Sequence, residues 1–219
     1  METLLLKRNK EMAFGSAWVF PGGKIDSEDY LQSASSQQLS SLAAVDSTLY
    51  DHDEVIAAFH AAVRESKEEA GVDIDAADLV LMSCWTTPVL GDRPRFRTWF
   101  FVGEIGNQPI VVDGNEMTDY RWIQVSDAID MSVVRELGML PPTYNTMIEI
   151  NKYADVTSAL SRLRIKELQV YNPKLVSFEN GYVSLYEGDA GYLTADLNAS
   201  GARHRLLVDK DGYKLEKTV

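Results

Sequence analysis

A single cysteine, Cys84, occurs in 219 residues. It cannot close an internal disulfide, and this favours a reducing compartment, with the cytoplasm as the expectation. No histidine or basic group stands close to it in sequence, so Cys84 reads as a small buried thiol. Long apolar runs are missing too. Nothing approaches the ~20 residues that cross a bilayer, which excludes a membrane-spanning helix and a membrane partner of that kind. The apolar patch in "METLLLKRNK" is too short for a signal peptide. Positive charge is scarce: 21 basic residues face 33 acidic ones, for a net charge of −12. Such a field repels nucleic acid. A small phosphorylated ligand requires metal ions or a local basic patch to override it.

What is present is ordinary for a globular chain, with 45% hydrophobic and 25% charged residues. "TLLLKR" reads as a strand, and "AWVFPGG" as a second that breaks at Pro21-Gly22-Gly23. A Ser-, Gln- and Asp-rich excursion follows, with a short helix expected around Leu39–Leu42. Val55, Ala58, Phe59, Ala62 and Val63 then recur at helical spacing. Asp51 or Asp53 can cap the start of that helix, and Gly71 can end it in the left-handed conformation. "DLVLMSCWTTP", "RFRTWFFVGEI" and "DYRWIQV" read as strands. Helices are expected from Ser126 through Leu137, from "PPTYNTMIEINKY" and from "DVTSALSRLRI". Beyond Lys166 the texture changes to two hairpins, turning at Asn180-Gly181 and Asp211-Gly212.

The chemistry concentrates in "RESKEEAGV", Arg64 to Val72. Glu65, Glu68 and Glu69 project from one helix face within about 100° of arc. Like charges at these spacings repel, and they sit where the helix dipole disfavours negative charge. One reading is a solvated helix end. The other is a set of carboxylates waiting for a cation, which Arg64 supplies in part and a hard divalent metal with oxygen ligands completes.

Together with "FPGG" upstream, this stretch resembles the Nudix hydrolases. Their box runs Gly-x5-Glu-x7-Arg-Glu-U-x-Glu-Glu-x-Gly-U, with U a bulky aliphatic. The second half matches from Arg64 to Val72, with Ser66 in place of an aliphatic. The first half matches at Gly23, with Asp29 where the family has its first glutamate. Gly23 and Arg64 stand 41 positions apart, so the box is divided by 27 extra residues. An insert at this place resembles the branch that includes the peroxisomal coenzyme A diphosphatases and bacterial relatives. "WTTP", "RFRTWFF", "DGNEMTDYRWI", "LPPTYNTM" and "RHRLLV" agree with that branch.

The resemblance implies an α/β fold: an α/β/α sandwich with a mixed sheet, an insert before the catalytic helix and a C-terminal β-hairpin extension. The expected division is a Nudix domain over residues 1–165, with the insert at about 30–52, and an extension over 166–219 packed on the same domain. It further implies Mg²⁺ or Mn²⁺ held by Glu65, Glu68, Glu69 and the main-chain carbonyl of Gly22, with Arg64 orienting Glu65. One more carboxylate is expected from a loop, as ligand or general base. Glu116 is the candidate, and Asp113 and Asp119 are the competitors. The expected substrate is a nucleoside diphosphate linked to another moiety. Coenzyme A is suggested by Leu4, Leu5 and Arg8, which fit part of that subclass's signature; its second arginine is absent here. The alternative is a nucleotide-binding or regulatory module of the same fold without turnover.

Arg93, Arg95 and Arg97 are candidate phosphate holders, with the solvation of an outward strand face as the plainer use. Trp85, Trp99 and Tyr120 can stack on a base or serve the core. The insert reads equally as a lid or as a tolerated surface loop. The terminal hairpins can extend the core, shape the pocket or form a homodimer interface.

Overall fold

The computed structural model describes residues 1–92 and 94–218. Strands β1 (Glu2–Arg8) and β2 (Trp18–Val19) precede α1 (Ser36–Ser41) and the long α2 (His52–Ala70). Then come β3 (Val80–Thr86), β4 (Arg97–Val102), β5 (Met117–Gln124), α3 (Val125–Val133), α4 (Pro141–Ile150) and α5 (Val156–Leu163). The chain continues through β6 (Gln169–Tyr171), β7 (Lys174–Phe178), β8 (Gly181–Leu185), β9 (His204–Asp209) and β10 (Gly212–Lys217).

Two three-stranded sheets form the middle layer, in the orders β2-β1-β5 and β4-β3-β6. The second is mixed: β4 runs antiparallel to β3, and β6 parallel. Alternation along the strands divides the apolar side chains between two faces. In β1, Leu4 and Leu6 pack with Ala70, Val72 and Met117, on the side of α2. Leu5 points the other way, into the cluster of Ala128, Met147 and Leu163 from α3, α4 and α5. In β3 the faces are kept across a three-residue step, with Leu81 and Cys84 toward α2 and Met82 and Trp85 toward α4. A period of two cannot do this. The ladder with β4 slips between Leu81 and Ser83, and this bulge supplies the extra residue. Helices thus cover both faces of the sheets, as the sandwich expectation required.

Helix α2 is built as its sequence signals. The Asp51 side chain accepts from the Asp53 amide at 2.9 Å, and Gly71 caps the other end at φ 70°. Val55, Ala58 and Phe59 are buried against Leu79, Leu81, Cys84 and Trp99. The insert is no free loop. A 3-10 turn (Ser27–Leu31), α1 and a second 3-10 turn carry it across α2. Its Val45 is buried in the same cluster, and Tyr50 meets Trp99 edge-on at 5.3 Å.

Three local expectations are corrected. The helix expected through Leu137 ends at Val133. Arg135 takes a left-handed φ of 61°, and the Glu136 and Leu137 amides turn back to the Met131 carbonyl. The two hairpin loops are Glu179-Asn180 and Lys210-Asp211, one place earlier than expected. Gly181 and Gly212 open the returning strands, opposite Phe178 and Asp209.

Residues beyond 165 enter the core directly. β6 lies on β3, and Tyr186, Leu206 and Val208 join the cluster that holds Leu5 and Met147. The strands β7 to β10 form one antiparallel sheet. The long β8–β9 connection is pinned by a buried ion pair. Arg205 donates to Asp189 through Nε at 2.7 Å and Nη2 at 2.6 Å. The Gly191 and His204 amides donate to the same carboxylate. Burial alone would raise the Asp189 pKa; these donors outweigh it and hold the carboxyl well below the usual range.

Asp189→Asn leaves Arg205 charged and buried. It is expected to cost about 3–5 kcal/mol in urea unfolding at neutral pH. Because the folded-state pKa is depressed, the contribution is complete above about pH 5 and fades as the pH falls through the acid range. The gap between wild type and variant should therefore narrow below about pH 4; a gap constant with pH would contradict this assignment.

Candidate metal and phosphate site

The last two turns of α2 meet the loop that follows β2. Gly22 has φ 155°, a backbone angle that side-chain-bearing residues rarely adopt. Its amide donates to Glu69 Oε2 at 2.8 Å. At Gly23 a Cβ would stand 2.2 Å from Glu65 Oε1. Glycine at these two positions lets the loop lie on both carboxylates. Residues 47 apart thus form one surface.

Arg64 fastens the arrangement with all five of its N–H groups. Nε and Nη2 donate to the two oxygens of Asp29, at 3.2 and 3.0 Å. Nη2 also donates to the Lys24 carbonyl at 2.8 Å. Nη1 donates to Glu65 at 3.0 Å and to Glu68 at 3.1 Å. Asp29 is fully buried. Burial would raise its pKa, but the Arg64 fork and the Asp26 amide outweigh it, so the carboxyl stays below its ordinary value. The shorter side chain at this box position holds Arg64, and through it the loop.

Glu69 is 4% exposed. Burial pushes its pKa up to about 7, against the Gly22 amide, with Glu65 and Glu116 adding repulsion. Glu65 is also raised, by burial first and by Glu68 and Glu116 as well, against the pull of Arg64. Glu116 therefore shares the field of the helix carboxylates. It stands on a tight turn in which Asp113 accepts from the Glu116 and Met117 amides at 2.9 and 2.8 Å. Asp113 is spent on building that turn. Asp119 caps the Tyr120 amide on β5, opposite Lys7. Of the three loop candidates, Glu116 is the one whose charge reaches both Glu65 and Glu69.

The arginine expectations divide. Arg93 lies outside the described residues. Arg95 is exposed and donates to the Thr87 carbonyl at 2.9 Å. Arg97 is committed elsewhere. Its Nη1 meets both Glu54 oxygens at 3.1 Å, and its guanidinium covers Tyr50 at 4.8 Å. Glu54 is at the opposite end of α2, roughly 20 Å from Glu69 by helical rise. Trp99 is buried and donates to the same Glu54, and Trp85 stacks on Tyr171 at 4.0 Å within the core. Neither is open to a base. Tyr120 is 43% and Trp122 38% exposed, side by side on β5. Cys84 is buried, and burial pushes its thiol up to about 12.

Arg8 is the residue that sequence reasoning undervalued. Its charge pulls the Glu69 pKa down. Its Nε is buried without a partner among the described residues. Its signal in the sequence was its fit, with Leu4 and Leu5, to part of the coenzyme A subclass signature.

Lysine offers three donors from one point and cannot serve five acceptors. Arg64→Lys is expected to leave Asp29 underpaired and to lose about 1–3 kcal/mol in urea unfolding. An unchanged midpoint would mean that the five bonds contribute nothing net.

The family model described as the NUDIX domain matches residues 50–141. A human protein named acyl-coenzyme A diphosphatase NUDT19 is 29% identical over 117 residues. That alignment covers 51% of this chain and 31% of the human protein, so the chain spans about a third of that relative's length. The crystal structure of a NUDIX hydrolase from Alicyclobacillus acidocaldarius superposes with a TM-score of 0.54 at 21% identity, covering 75% of this chain and 90% of the other. That likeness is one of fold. The family match begins at the end of the insert, and the folded chain returns Gly22 and Gly23 to the matched helix. The chain thus resembles the Nudix hydrolases in sequence over residues 50–141 and in fold.

Proposed function

We propose that this protein hydrolyses the diphosphate bond of a nucleoside diphosphate linked to another moiety, using Mg²⁺ or Mn²⁺. The observation that carries this reading is the Gly22-Gly23 loop seated on Glu65 and Glu69 across the insert.

The residues suit a hard divalent ion. Three helix carboxylates, Glu116 and the Gly22 carbonyl are all oxygen donors. Burial, with the charges of Glu65 and Glu116, raises the Glu69 pKa, and a bound cation would favour its carboxylate form. Among the described residues no three acidic, His or Cys side chains stand already assembled as a metal cluster. Arg64 occupies Glu65 and Glu68 instead. The Arg64–Glu68 pair is an exposed i,i+4 contact, worth no more than about 0.5 kcal/mol, and readily exchanged for an ion. When bound, the ion neutralises phosphate charge and acidifies the attacking water. Glu65, Glu68, Glu69 and the Gly22 carbonyl would hold it. Arg64 keeps Glu65 aimed at the loop. Glu69 or Glu116 takes the proton from water. Arg8, with its unpartnered Nε, is the cation placed to meet a substrate phosphate. Tyr120 and Trp122 offer an aromatic surface for the base.

Coenzyme A or an acyl-coenzyme A is the substrate proposed first. The resemblance around Leu4, Leu5 and Arg8 supports it, as does the activity in the name of the human relative.

Incubation of the full chain with coenzyme A, an acyl ester of it and ADP-ribose, with Mn²⁺ or Mg²⁺, should release two phosphorylated products from at least one of them. Glu69→Gln should lower that rate by about 100-fold or more. Millimolar Mn²⁺ should raise the melting temperature of the wild type, and raise that of Glu69→Gln less. A melting shift with no product from a broad diphosphate panel would favour the module that binds without turnover.

A further inference from the structure

The protein is acidic, at net −12, yet one hollow on its surface has the opposite sign. It has a volume of about 540 Å³ and lies between the end of α4 and α5. Lys152, Arg162 and Lys166 line it, together with Tyr153, Ser158 and Ile165. Ile150 and Leu163 bury the inner sides of these helices in the cluster around Val80 and Met82. Helix α2 packs on the opposite face, over Leu81 and Cys84. The hollow and the glutamates of α2 are therefore in different layers.

The charge here is only partly compensated. Glu149 is shared by two lysines. Lys152 reaches its Oε2 at 2.6 Å, and Lys166 holds its Oε1. Asp155 is the N-cap of α5 and accepts the Ser158 amide at 2.7 Å. The Arg162 side chain makes no ion pair or hydrogen bond with the described residues, although its carbonyl accepts from the Arg164 and Ile165 amides. Lys217, at the end of β10, lies outside the lining but adds a fourth cation to the surrounding field. Burial lowers its pKa first, and Lys152 and then Lys166 lower it further, more than Glu149 restores. Four cations thus face two carboxylates, both already engaged. Crowding like charges is costly, and an anion relieves it. The volume falls in the range of small-molecule sites. The free guanidinium suits the paired oxygens of a phosphate, and Tyr153 with the exposed Ile165 adds an apolar wall.

We propose that this hollow binds a phosphate-bearing small molecule at a second site, independent of the metal-binding carboxylates. Its occupancy needs no divalent ion and no Glu69.

Isothermal titration of the full chain with inorganic pyrophosphate, in EDTA and about 0.1 M chloride, tests this. Saturable binding at one site is expected. Arg162→Glu should weaken it by about tenfold or more, with Arg162→Ala intermediate. Glu69→Gln should bind as the wild type does. Circular dichroism of the two Arg162 variants, whose side chain is exposed, should match wild type. Absence of saturable heat, affinities within about twofold of wild type in both Arg162 variants, or loss of binding in Glu69→Gln would each overturn the proposal.

Discussion

The guanidinium of Arg64 is the interaction on which the site depends. Its five donors meet five acceptors on three segments: Asp29 at the edge of the insert, the Lys24 carbonyl in the loop, and Glu65 and Glu68 on α2. No other cation type could do this, because the acceptors lie around a planar fork. Without it, a fully buried carboxylate would lack its counter-ion, and the glycine loop would lose its second fastening to the helix. The first fastening, from the Gly22 amide to Glu69, is a single bond.

This explains how 27 additional residues can divide the motif without separating its halves. The insert leaves the loop at Asp29, which Arg64 grips, and rejoins the helix at its Asp51 cap. Between these two ends Val45 and Tyr50 are packed against α2 and β4. The excursion is anchored at both ends and in its middle, so its length does not loosen the carboxylates. The family match to residues 50–141 covers the helix half alone. The fold adds the glycine half.

Helix α2 was legible in the sequence because its signals are local. The apolar spacing, the Asp51 cap and Gly71 all act within a turn or two. The glutamate face alone left two readings open, and its resemblance, together with the distant glycine pair, to the Nudix box made it legible as chemistry. What could not be read depends on partners distant in sequence. Arg97 looked like a phosphate ligand from its neighbours, but Glu54, 43 residues earlier, claims it. Trp99 goes to the same glutamate. Arg8 gains its meaning only from its nearness to Glu69. Asp29 stands where the Nudix box has its first glutamate. Burial and its two bonds to Arg64 make this a structural position.

The central claim is that the two halves of the divided motif form a single metal site. Anomalous scattering from crystals of the full chain grown with Mn²⁺ tests it directly. The account predicts manganese between the Gly22 carbonyl and the carboxylates of Glu65, Glu68 and Glu69. Manganese ordered only elsewhere, or bound by the helix glutamates with Gly22 turned away, would contradict it.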